Sequence, residues 1–313
     1  MGSELKFCFI GIGSIAKRHI KNLKSIFAGK NIQITIDAVR RQKTYLGAEG
    51  IDNVYTDLNE LGYYNAVFIT NPTAFHVTTL KGVRDKAEYF FIEKPITSLD
   101  KIEEAEHINY INQERSYVAC PLRYKKVIQY IKNYVKNRRV IGVRAISSSY
   151  LPEWRPGQDY KNTYSAHKEL GGGVSIDLIH EWDYLRNIFG MPNKISYFKG
   201  RKSNLDIDTE DTALYLAEYD DLFVELHLDY FGRKAIRECM IFTNEETIAA
   251  DLLNNNVKFL NSGKQIDFTE DRDDFQIEEL KHFLDIIDGA RSNNTIEDAV
   301  QTMYLSQGEV IGG

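Results

Sequence analysis

Residues 9–19, Phe-Ile-Gly-Ile-Gly-Ser-Ile-Ala-Lys-Arg-His, contain a Gly-x-Gly-x-x-Ala motif formed by Gly11, Gly13 and Ala16. The motif follows a short apolar run that starts at Lys6 and opens a segment whose apolar residues have helical spacing. Between a strand and a helix, these glycines permit a tight turn and let the backbone approach a pyrophosphate at the helix N-terminus. An ordinary strand–helix turn of small residues, without a ligand, is the other interpretation.

The end of the predicted second strand, residues 32–39, should decide which dinucleotide binds. NAD-binding proteins place an Asp or Glu there to accept hydrogen bonds from the ribose hydroxyls. Here Asp37 comes before the end of the strand, and Arg40 and Arg41 follow it. Two guanidinium groups can pair with the 2′-phosphate of NADP, whereas a carboxylate would repel it. We therefore predict NADP as the preferred cofactor and NAD as the alternative; an exposed basic loop is the competing explanation.

Composition restricts the classes of protein that remain. A chain of 313 residues, with 43% hydrophobic and 27% charged residues, predicts a globular protein of two domains. The net charge of −6 argues against a nucleic-acid partner, which would need a basic face. The three cysteines lie far apart and no His cluster has metal-ligand spacing, so we expect neither disulfides nor a metal. We also expect a cytoplasmic protein without a membrane span, because neither a signal peptide nor a long apolar run is present.

Short apolar runs alternate with helical patterns through the first 120 residues, which predicts βαβ units and a parallel sheet. The predicted strands are residues 6–10, 32–39, 66–70, 89–93 and 117–120. The predicted helices are residues 14–27, 74–83 and 98–113, with Ser14 and Ser98 as N-caps.

The pattern changes after a predicted helix at 122–135, because strand-like alternation then dominates. The predicted strands are residues 141–150, 212–219, 222–230 and 236–242, with weaker candidates around 248 and 257. Asp220 and Asp221 mark a tight hairpin. With helices at 275–288 and 295–307, this half predicts an α+β domain with a largely antiparallel sheet.

Four motifs occur in an order that resembles the glucose-fructose oxidoreductase/inositol dehydrogenase (Gfo/Idh/MocA) family, and the resemblance covers essentially the whole chain. They are Gly11-Ile-Gly-Ser-Ile-Ala16, Thr70-Asn-Pro72-Thr-Ala-Phe-His76, Glu93-Lys94-Pro95 and Gly171-Gly-Gly173-Val-Ser-Ile-Asp177-Leu-Ile-His180. The Glu-Lys-Pro tripeptide followed by the Gly-Gly-Gly-x-x-x-Asp segment is the most specific part.

The resemblance implies an α/β fold in two parts. Residues 1–121 would form an NAD(P)-binding Rossmann domain, and residues 122–313 an α+β domain for substrate binding and oligomerisation. The large, mainly antiparallel open sheet of the second domain would join a homodimer or homotetramer, and the active site would lie between the domains. The implied reaction moves a hydride between a nicotinamide and a hydroxyl-bearing carbon of a sugar, sugar derivative or cyclitol.

By the same resemblance, Lys94, Asp177 and His180 are the catalytic residues. Lys94 would hydrogen-bond the reacting oxygen and join a proton relay, Asp177 would bind a substrate hydroxyl, and His180 would be the general acid or base. Asp177 and His180 would share one helix face. Many members place the His four residues after the Asp, where this chain has Glu181, so Glu181 or Lys94 acting alone is the alternative proton donor.

The remaining predicted site residues fall into two groups. The expected cofactor contacts are Gly11, Gly13, Ser14, Ile15, Ala16, Arg40, Arg41, Thr70, Asn71, Pro72, His76, Glu93 and Lys94. The expected substrate contacts are Arg123, Trp154, Tyr164, Lys168, Asp177 and His180. A structural role at a helix start is the alternative for His76, and a bridge between the domains is the alternative for Arg123.

Two further functions stay open. The first is an NAD-dependent glycosidase of the same family, in which a tightly held cofactor oxidises the substrate transiently and is regenerated. The second is a nonenzymatic NAD(P)-responsive regulator, against which the presence of Lys94, Asp177 and His180 argues.

Overall fold

The computed structural model describes residues 4–41 and 50–310. The chain forms two compact units, the first made of Met1–Pro121 with Arg272–Val300 and the second of Leu122–Asp271 with Gln301–Gly313. A division into 1–121 and 122–313 therefore leaves out a segment that returns to the first unit. Hydrogen bonds anchor this return, because the Glu279 carboxylate accepts from the Cys120 backbone N–H at 2.6 Å and from the Tyr117 hydroxyl at 3.1 Å.

The first unit is built on a parallel sheet of six strands, in the order β3-β2-β1-β4-β5-β6. The strands are β1 (Glu4–Ile10), β2 (Gln33–Val39), β3 (Asn53–Tyr55), β4 (Tyr64–Ile69), β5 (Ala87–Ile92) and β6 (Ser116–Val118). The helices are α1 (Ser14–Phe27), α2 (His76–Val83), α3 (Ile102–Glu106) and α7 (Asp274–Ile287). The strand order reverses between β1 and β4, and open α/β sheets bind their ligands outside the carboxyl ends of the strands at such a reversal.

Stacked aromatic rings form the core of this unit. Phe68 stacks on Phe9 at 4.4 Å and on Phe91 at 4.9 Å between ring centroids, and Phe283 of α7 meets Phe68 edge-on. These contacts attach α7 to the sheet, because edge-on and offset rings add to the burial of apolar surface.

The second unit contains a sheet of eight strands in the order β14-β13-β12-β11-β7-β10-β9-β8, which is antiparallel except where β10 pairs with β7. The strands are β7 (Val140–Tyr150), β8 (Lys194–Gly200), β9 (Thr212–Glu218), β10 (Phe223–Asp229), β11 (Phe231–Thr243), β12 (Thr247–Asp251), β13 (Asn256–Phe259) and β14 (Gln265–Asp267). The helices are α4 (Lys126–Val135), α5 (Val174–Asp177) and α6 (His180–Phe189), while α8 (Ile296–Gln307) runs across the division at Val300.

One face of this sheet is buried and the other is open. In β9, Ala213, Tyr215 and Ala217 are buried whereas Leu214 and Leu216 are exposed. The expected α/β fold with a parallel sheet followed by a mainly antiparallel open sheet is therefore confirmed. The hairpin at Asp220 and Asp221 is also present, because β9 and β10 pair on either side of these residues.

The expected helix over 98–113 is wrong. Only Ile102–Glu106 is α-helical; 3₁₀ turns lie before and after it, at Leu99–Lys101 and Gln113–Arg115. The Asn112 side chain accepts from the Glu114 N–H at 3.0 Å, which starts a turn instead of a helix.

The predicted N-cap Ser14 is wrong, because Gly13 is the N-cap of α1. Ser98 is at the N-cap position, but of the 3₁₀ turn Leu99–Lys101 and without a side-chain capping hydrogen bond. Three strands were also not predicted, namely β3, β8 and β14. In the described part of the chain, no helix combines the length and the apolar character that crossing a membrane requires.

Candidate active site

The glycine loop lies between β1 and α1. Gly11 has φ +90°, and a Cβ atom there would lie 2.8 Å from Cα of Asn71, so only glycine fits. A Cβ on Gly13 would meet no atom of the described residues within 4 Å, and no described side chain caps α1. This end of α1 thus combines open space with uncapped N–H groups, which is what a bound pyrophosphate requires.

The loop after β4 lies directly against the glycine loop. The Thr70 hydroxyl donates to the Gly11 carbonyl at 2.7 Å. His76 is 1% exposed, with its ring nitrogens 2.8 Å from the Asn71 carbonyl oxygen and 2.9 Å from the Pro95 carbonyl oxygen. Burial lowers the pKa of His76, although the two carbonyls and the nearby Glu93 charge oppose this. His76 therefore links the loop after β4 to the loop after β5, which favours its structural interpretation.

Lys94 follows the carboxyl end of β5 and is partly exposed; its peptide bond to Pro95 is cis. The preceding Glu93 is 9% exposed. Its Oε1 atom lies 2.6 Å from Nε2 of His19, and its Oε2 atom accepts from the Lys94 backbone N–H at 3.2 Å. Burial raises the pKa of the Glu93 carboxyl, but the hydrogen bond from His19 and nearby charges such as Lys94 together outweigh burial and hold that pKa below its usual value. Both carboxylate oxygens are thus engaged within the unit, and one of them fixes the backbone of Lys94.

Sequence reasoning missed this role of His19. The side chain is 1% exposed, and its ring lies edge-on to Phe91 at 5.0 Å. Nδ1 is buried without a hydrogen-bond partner among the described residues, so the ring contacts Glu93 through Nε2 alone. The sequence position of His19 could have indicated this role, because it lies three residues after Ala16 and hence on the face of α1 that packs on the sheet.

Asp37 is engaged at the second strand. It is 6% exposed and accepts hydrogen bonds from the Asn53 amide and the Tyr64 hydroxyl, both at 2.8 Å. Strand β2 ends at Val39, so Arg40 and Arg41 follow it as predicted. Asp37, the carboxylate nearest the end of this strand, therefore already accepts hydrogen bonds from its neighbours in the sheet.

In the second unit, the glycine segment shapes the start of α5. A Cβ on Gly172 would lie 2.1 Å from the Tyr164 carbonyl oxygen, and Gly173 has φ +130°. The Glu210 carboxylate accepts from the Ser175 hydroxyl at 2.6 Å and from the Ser175 N–H at 3.3 Å. Glu210 thus replaces an N-cap side chain, because glycine at position 173 offers none.

Asp177 and His180 do not share one helix, which corrects the prediction. α5 ends at Asp177, and α6 begins at His180 after a two-residue turn. The Glu181 N–H bonds the Leu178 carbonyl, a tighter i to i+3 connection that breaks the α-helical ladder. His180 is partly exposed, while Asp177 is 7% exposed.

The Tyr230 hydroxyl holds the Asp177 carboxylate, because it donates to Oδ2 at 2.6 Å. Burial and the Asp177 charge raise the pKa of the Tyr230 phenol, so this hydroxyl stays a protonated donor. Burial and the Asp177 charge also raise the pKa of the Tyr164 hydroxyl, which lies near the carboxylate.

Glu181 is fully buried and accepts from Nε of Arg237 at 2.6 Å, which ties α6 to β11. Removing either partner would leave a buried charge unpaired. This commitment argues against Glu181 as a proton donor and favours His180.

The structure brings some of the predicted substrate residues to Asp177. Trp154 packs edge-on against Tyr230 at 5.2 Å, and Tyr164 is 43% exposed beside the carboxylate. Lys168 is exposed just before the glycine segment. Arg123 differs, because it is 3% exposed and donates twice to Asp183, at 2.9 and 2.7 Å, which favours a structural role.

Comparison with known proteins agrees with these motifs. Residues 5–120 match the description "Oxidoreductase family, NAD-binding Rossmann fold", and residues 128–248 match "GFO/IDH/MocA C-terminal domain". The chain belongs to the Gfo/Idh/MocA family. It is 26% identical over 230 residues to the uncharacterized oxidoreductase YrbE of Bacillus subtilis (strain 168), covering 71% of this chain. That match spans 65% of the relative, just under two thirds of its length.

Solved structures share the fold of this Gfo/Idh/MocA protein. Levoglucosan dehydrogenase in complex with NADH is 14% identical, with a TM-score of 0.82 over 98% of this chain and 96% of that one. UDP-N-acetylglucosamine 3-dehydrogenase GnnA from Acidithiobacillus ferrooxidans is 18% identical, with a TM-score of 0.75 over 97% and 96%. At these identities the likeness shows the fold alone.

Each unit of the Gfo/Idh/MocA chain thus carries its own set of chemical groups. The first unit is an NAD-binding Rossmann domain whose glycine loop fits a dinucleotide and whose Lys94 backbone is fixed by Glu93. The second unit presents a carboxylate and an imidazole three residues apart. Within residues 4–41 and 50–310, no group of three His, Cys, Asp or Glu side chains could hold a metal ion.

Proposed function

We propose that this protein transfers a hydride between NADP and a hydroxyl-bearing carbon of a sugar, a sugar derivative or a cyclitol. The main support is Asp177, a buried carboxylate that the Tyr230 hydroxyl holds, with His180 three residues further on. Such a carboxylate suits a substrate hydroxyl, and the imidazole suits the proton that leaves or joins that hydroxyl. When bound, the nicotinamide supplies the hydride acceptor or donor, while the protein positions the substrate and moves the proton.

Lys94 is the second group that we assign to the reaction. It follows β5, and both the Glu93 carboxylate and the His76 ring hold the backbone on either side of it. An ammonium group so placed can hydrogen-bond the reacting oxygen and stabilise negative charge that develops there. In the direction of oxidation, His180 takes the hydroxyl proton; in the direction of reduction, it returns it.

Preference for NADP is supported by what the end of β2 offers. Asp37 is engaged by Asn53 and Tyr64, so its carboxylate is poorly placed to accept from ribose hydroxyls. Arg40 and Arg41 follow the strand and are partly and largely exposed. A charge-assisted hydrogen bond to the 2′-phosphate contributes about 1.5–3 kcal/mol, roughly a 10- to 100-fold preference.

We further propose a homodimer or homotetramer that forms through the open face of the second sheet. This face bears a cavity of about 520 Å³, and Leu214 and Leu216 are 38% and 47% exposed beside it. A two-fold axis would bury the same apolar face on both copies. Light scattering that finds only monomers would remove this part of the proposal.

A screen of sugars, sugar acids and cyclitols tests the reaction itself. Each compound is incubated with the protein and NADP⁺ or NAD⁺, and nicotinamide reduction is followed by absorbance. The expected result is turnover with at least one compound and a higher kcat/KM with NADP⁺. Cofactor that co-purifies and is never released during turnover would instead favour the glycosidase.

A further inference from the structure

A second pocket lies within the second unit, at the end of the sheet where β7 ends and β11 begins. It measures about 370 Å³, and its lining includes Tyr150, Tyr160, Lys202, Leu205, Phe231 and Arg233. None of the residues assigned to catalysis lines it. Three of these side chains are aromatic and two are cationic.

The charge of this pocket is opposite to that of the chain. None of the described residues that line it is Asp or Glu, whereas the whole chain carries a net charge of −6. The acids close in sequence to the lining residues are engaged by other groups. Asp159 accepts from the Lys161 backbone N–H at 3.0 Å, and Asp229 accepts from the backbone N–H groups of Phe231 and Gly232 at 3.0 and 2.8 Å. Asp206 pairs with Lys161 at 2.9 Å, and Asp211 accepts from the backbone N–H groups of Lys202 and Ser203, both at 2.8 Å. An unneutralised positive pocket on an acidic protein indicates an anionic ligand.

Arg233 and Tyr160 have the geometry to bind oxygen atoms of such an anion. The Arg233 guanidinium lies over the Tyr150 ring, 3.9 Å from its centroid. Stacking fixes the guanidinium plane and leaves its edge N–H groups to donate to a phosphate in two places. The Tyr160 hydroxyl accepts from the Asp206 N–H at 3.1 Å, so its own hydrogen can be donated into the pocket.

The pocket is continuous in sequence with the Asp177 site. Phe231 directly follows Tyr230, whose hydroxyl holds Asp177. On the neighbouring strand, Leu151 directly follows Tyr150 and donates from its backbone N–H to the Tyr230 carbonyl at 2.9 Å. The end of β7 and the start of β11 therefore contribute residues to the pocket and also border Tyr230, which holds Asp177.

We propose that this pocket binds a phosphate or diphosphate ester that forms part of the substrate. Arg233, Lys202 and Tyr160 hold the phosphate oxygens, and the rings of Tyr150 and Phe231 contact the attached sugar or base. The proposal rests on the proposed function, because it makes the sugar substrate a phosphorylated one. Binding to the pocket can nevertheless be measured without turnover.

Calorimetric titration tests the pocket in protein first titrated with NADPH, so that the cofactor site is filled. The probes are uridine diphosphate, glucose 1-phosphate and inorganic phosphate, with uridine and glucose as uncharged controls. Arg233→Met and Lys202→Met are compared with the wild type and with Lys234→Met, a matched exposed cation next to Arg233 that does not line the pocket. Thermal melting checks that all variants fold alike.

We expect at least one phosphate ester to bind with a dissociation constant below about 1 mM, within the ordinary range for substrates. Arg233→Met and Lys202→Met should each weaken it about 10-fold or more, while Lys234→Met leaves it unchanged. Tighter binding of uridine diphosphate would indicate a nucleotide sugar, and tighter binding of glucose 1-phosphate a sugar phosphate.

Absence of binding by every phosphate probe, or binding that neither pocket variant weakens, would overturn the proposal. These outcomes differ from a failure of the proposed function, which appears in the preceding NADPH titration. Protein that binds no nicotinamide nucleotide but loses phosphate affinity in Arg233→Met would keep the pocket and remove the oxidoreductase.

Discussion

The Nε2 atom of His19 lies 2.6 Å from Oε1 of Glu93, inside the first unit. This hydrogen bond joins α1, which begins at the glycine loop, to the end of β5, where Lys94 follows. The other oxygen of Glu93 accepts from the Lys94 backbone N–H. The helix that would bind the pyrophosphate and the lysine that would bind the reacting oxygen are thus held by one buried carboxylate.

Replacement of Glu93 by Gln should show whether Glu93 positions Lys94 or binds the cofactor. The amide can present an N–H group towards the Lys94 N–H, so we expect kcat to fall about 10-fold or more, as for a lost hydrogen bond to a charged group. The dissociation constant for NADPH should change little. His19→Gln serves as the second variant and should shift kcat in the same direction. A fall in NADPH affinity without a fall in kcat would instead make Glu93 a cofactor ligand.

Removal of the Lys94 or the His180 side chain should lower the turnover rate. Lys94→Ala and His180→Ala should each lower kcat at least about 100-fold, the lower end of general acid–base contributions, with NADPH binding retained. Lys81→Ala and His107→Ala are matched controls, because both residues are exposed in the first unit. The substrate is the one that the sugar screen identifies. Turnover close to that of the wild type in either active-site variant would cancel that residue's role.

The glycine segment before Asp177 should not tolerate a Cβ atom. Gly172→Ala would place it 2.1 Å from the Tyr164 carbonyl oxygen, so we expect the free energy of unfolding to fall by about 1–3 kcal/mol, together with activity. Gly200→Ala is the control, since its nearest neighbour is the flexible Lys202 side chain at 4.0 Å. Urea denaturation compares the two. Equal stability of both variants would mean that the segment relaxes without cost.

Much of the fold could be predicted, because the spacing of apolar residues along the chain shows which side of a helix or strand is buried. The boundaries of α1 were predicted as Ser14–Phe27, because apolar residues recur on one face and glycines precede it. Strand β8 was missed, because its side chains are mostly exposed or partly exposed and show no clean alternation. The helix over 98–113 was wrongly predicted, because the helical spacing of its apolar residues does not reveal the turn that the Asn112 side chain starts.

The position of the candidate site could be predicted from motifs, but the ion pairs that its side chains form could not. Glu181 and Arg237 are 56 residues apart in the chain, and Arg123 and Asp183 are 60 apart. No local pattern reveals such pairs, since they depend on which strands and helices meet. The alternatives for Glu181 and Arg123 therefore stayed open until the structure paired them.

The turn that carries Tyr230 should depend on pH through Asp229. Burial raises the pKa of this carboxyl, but hydrogen bonds from His227, Ser148 and the backbone outweigh it and hold the pKa below its usual value. A depressed folded-state pKa adds stability above the unfolded pKa near 3.8, and the gain is lost as pH falls through the folded value.

Asp229→Asn should consequently lower the free energy of unfolding by about 1–3 kcal/mol at pH 7. The difference from the wild type should shrink progressively below about pH 4. Urea denaturation of both proteins across this range measures it. A difference that stays constant down to pH 3 would show that the hydrogen bonds and not the charge of Asp229 matter.

Fluorescence titration with NADPH and NADH tests whether this protein binds a nicotinamide nucleotide, after mass spectrometry has checked the purified protein for bound cofactor. We expect saturable binding that is at least about tenfold tighter for NADPH, and a loss of this preference in Arg40→Ala with NADH affinity unchanged. Preference for NADH would keep the oxidoreductase and contradict the role of Arg40. Binding of neither nucleotide, with none already present, would contradict the proposed hydride transfer.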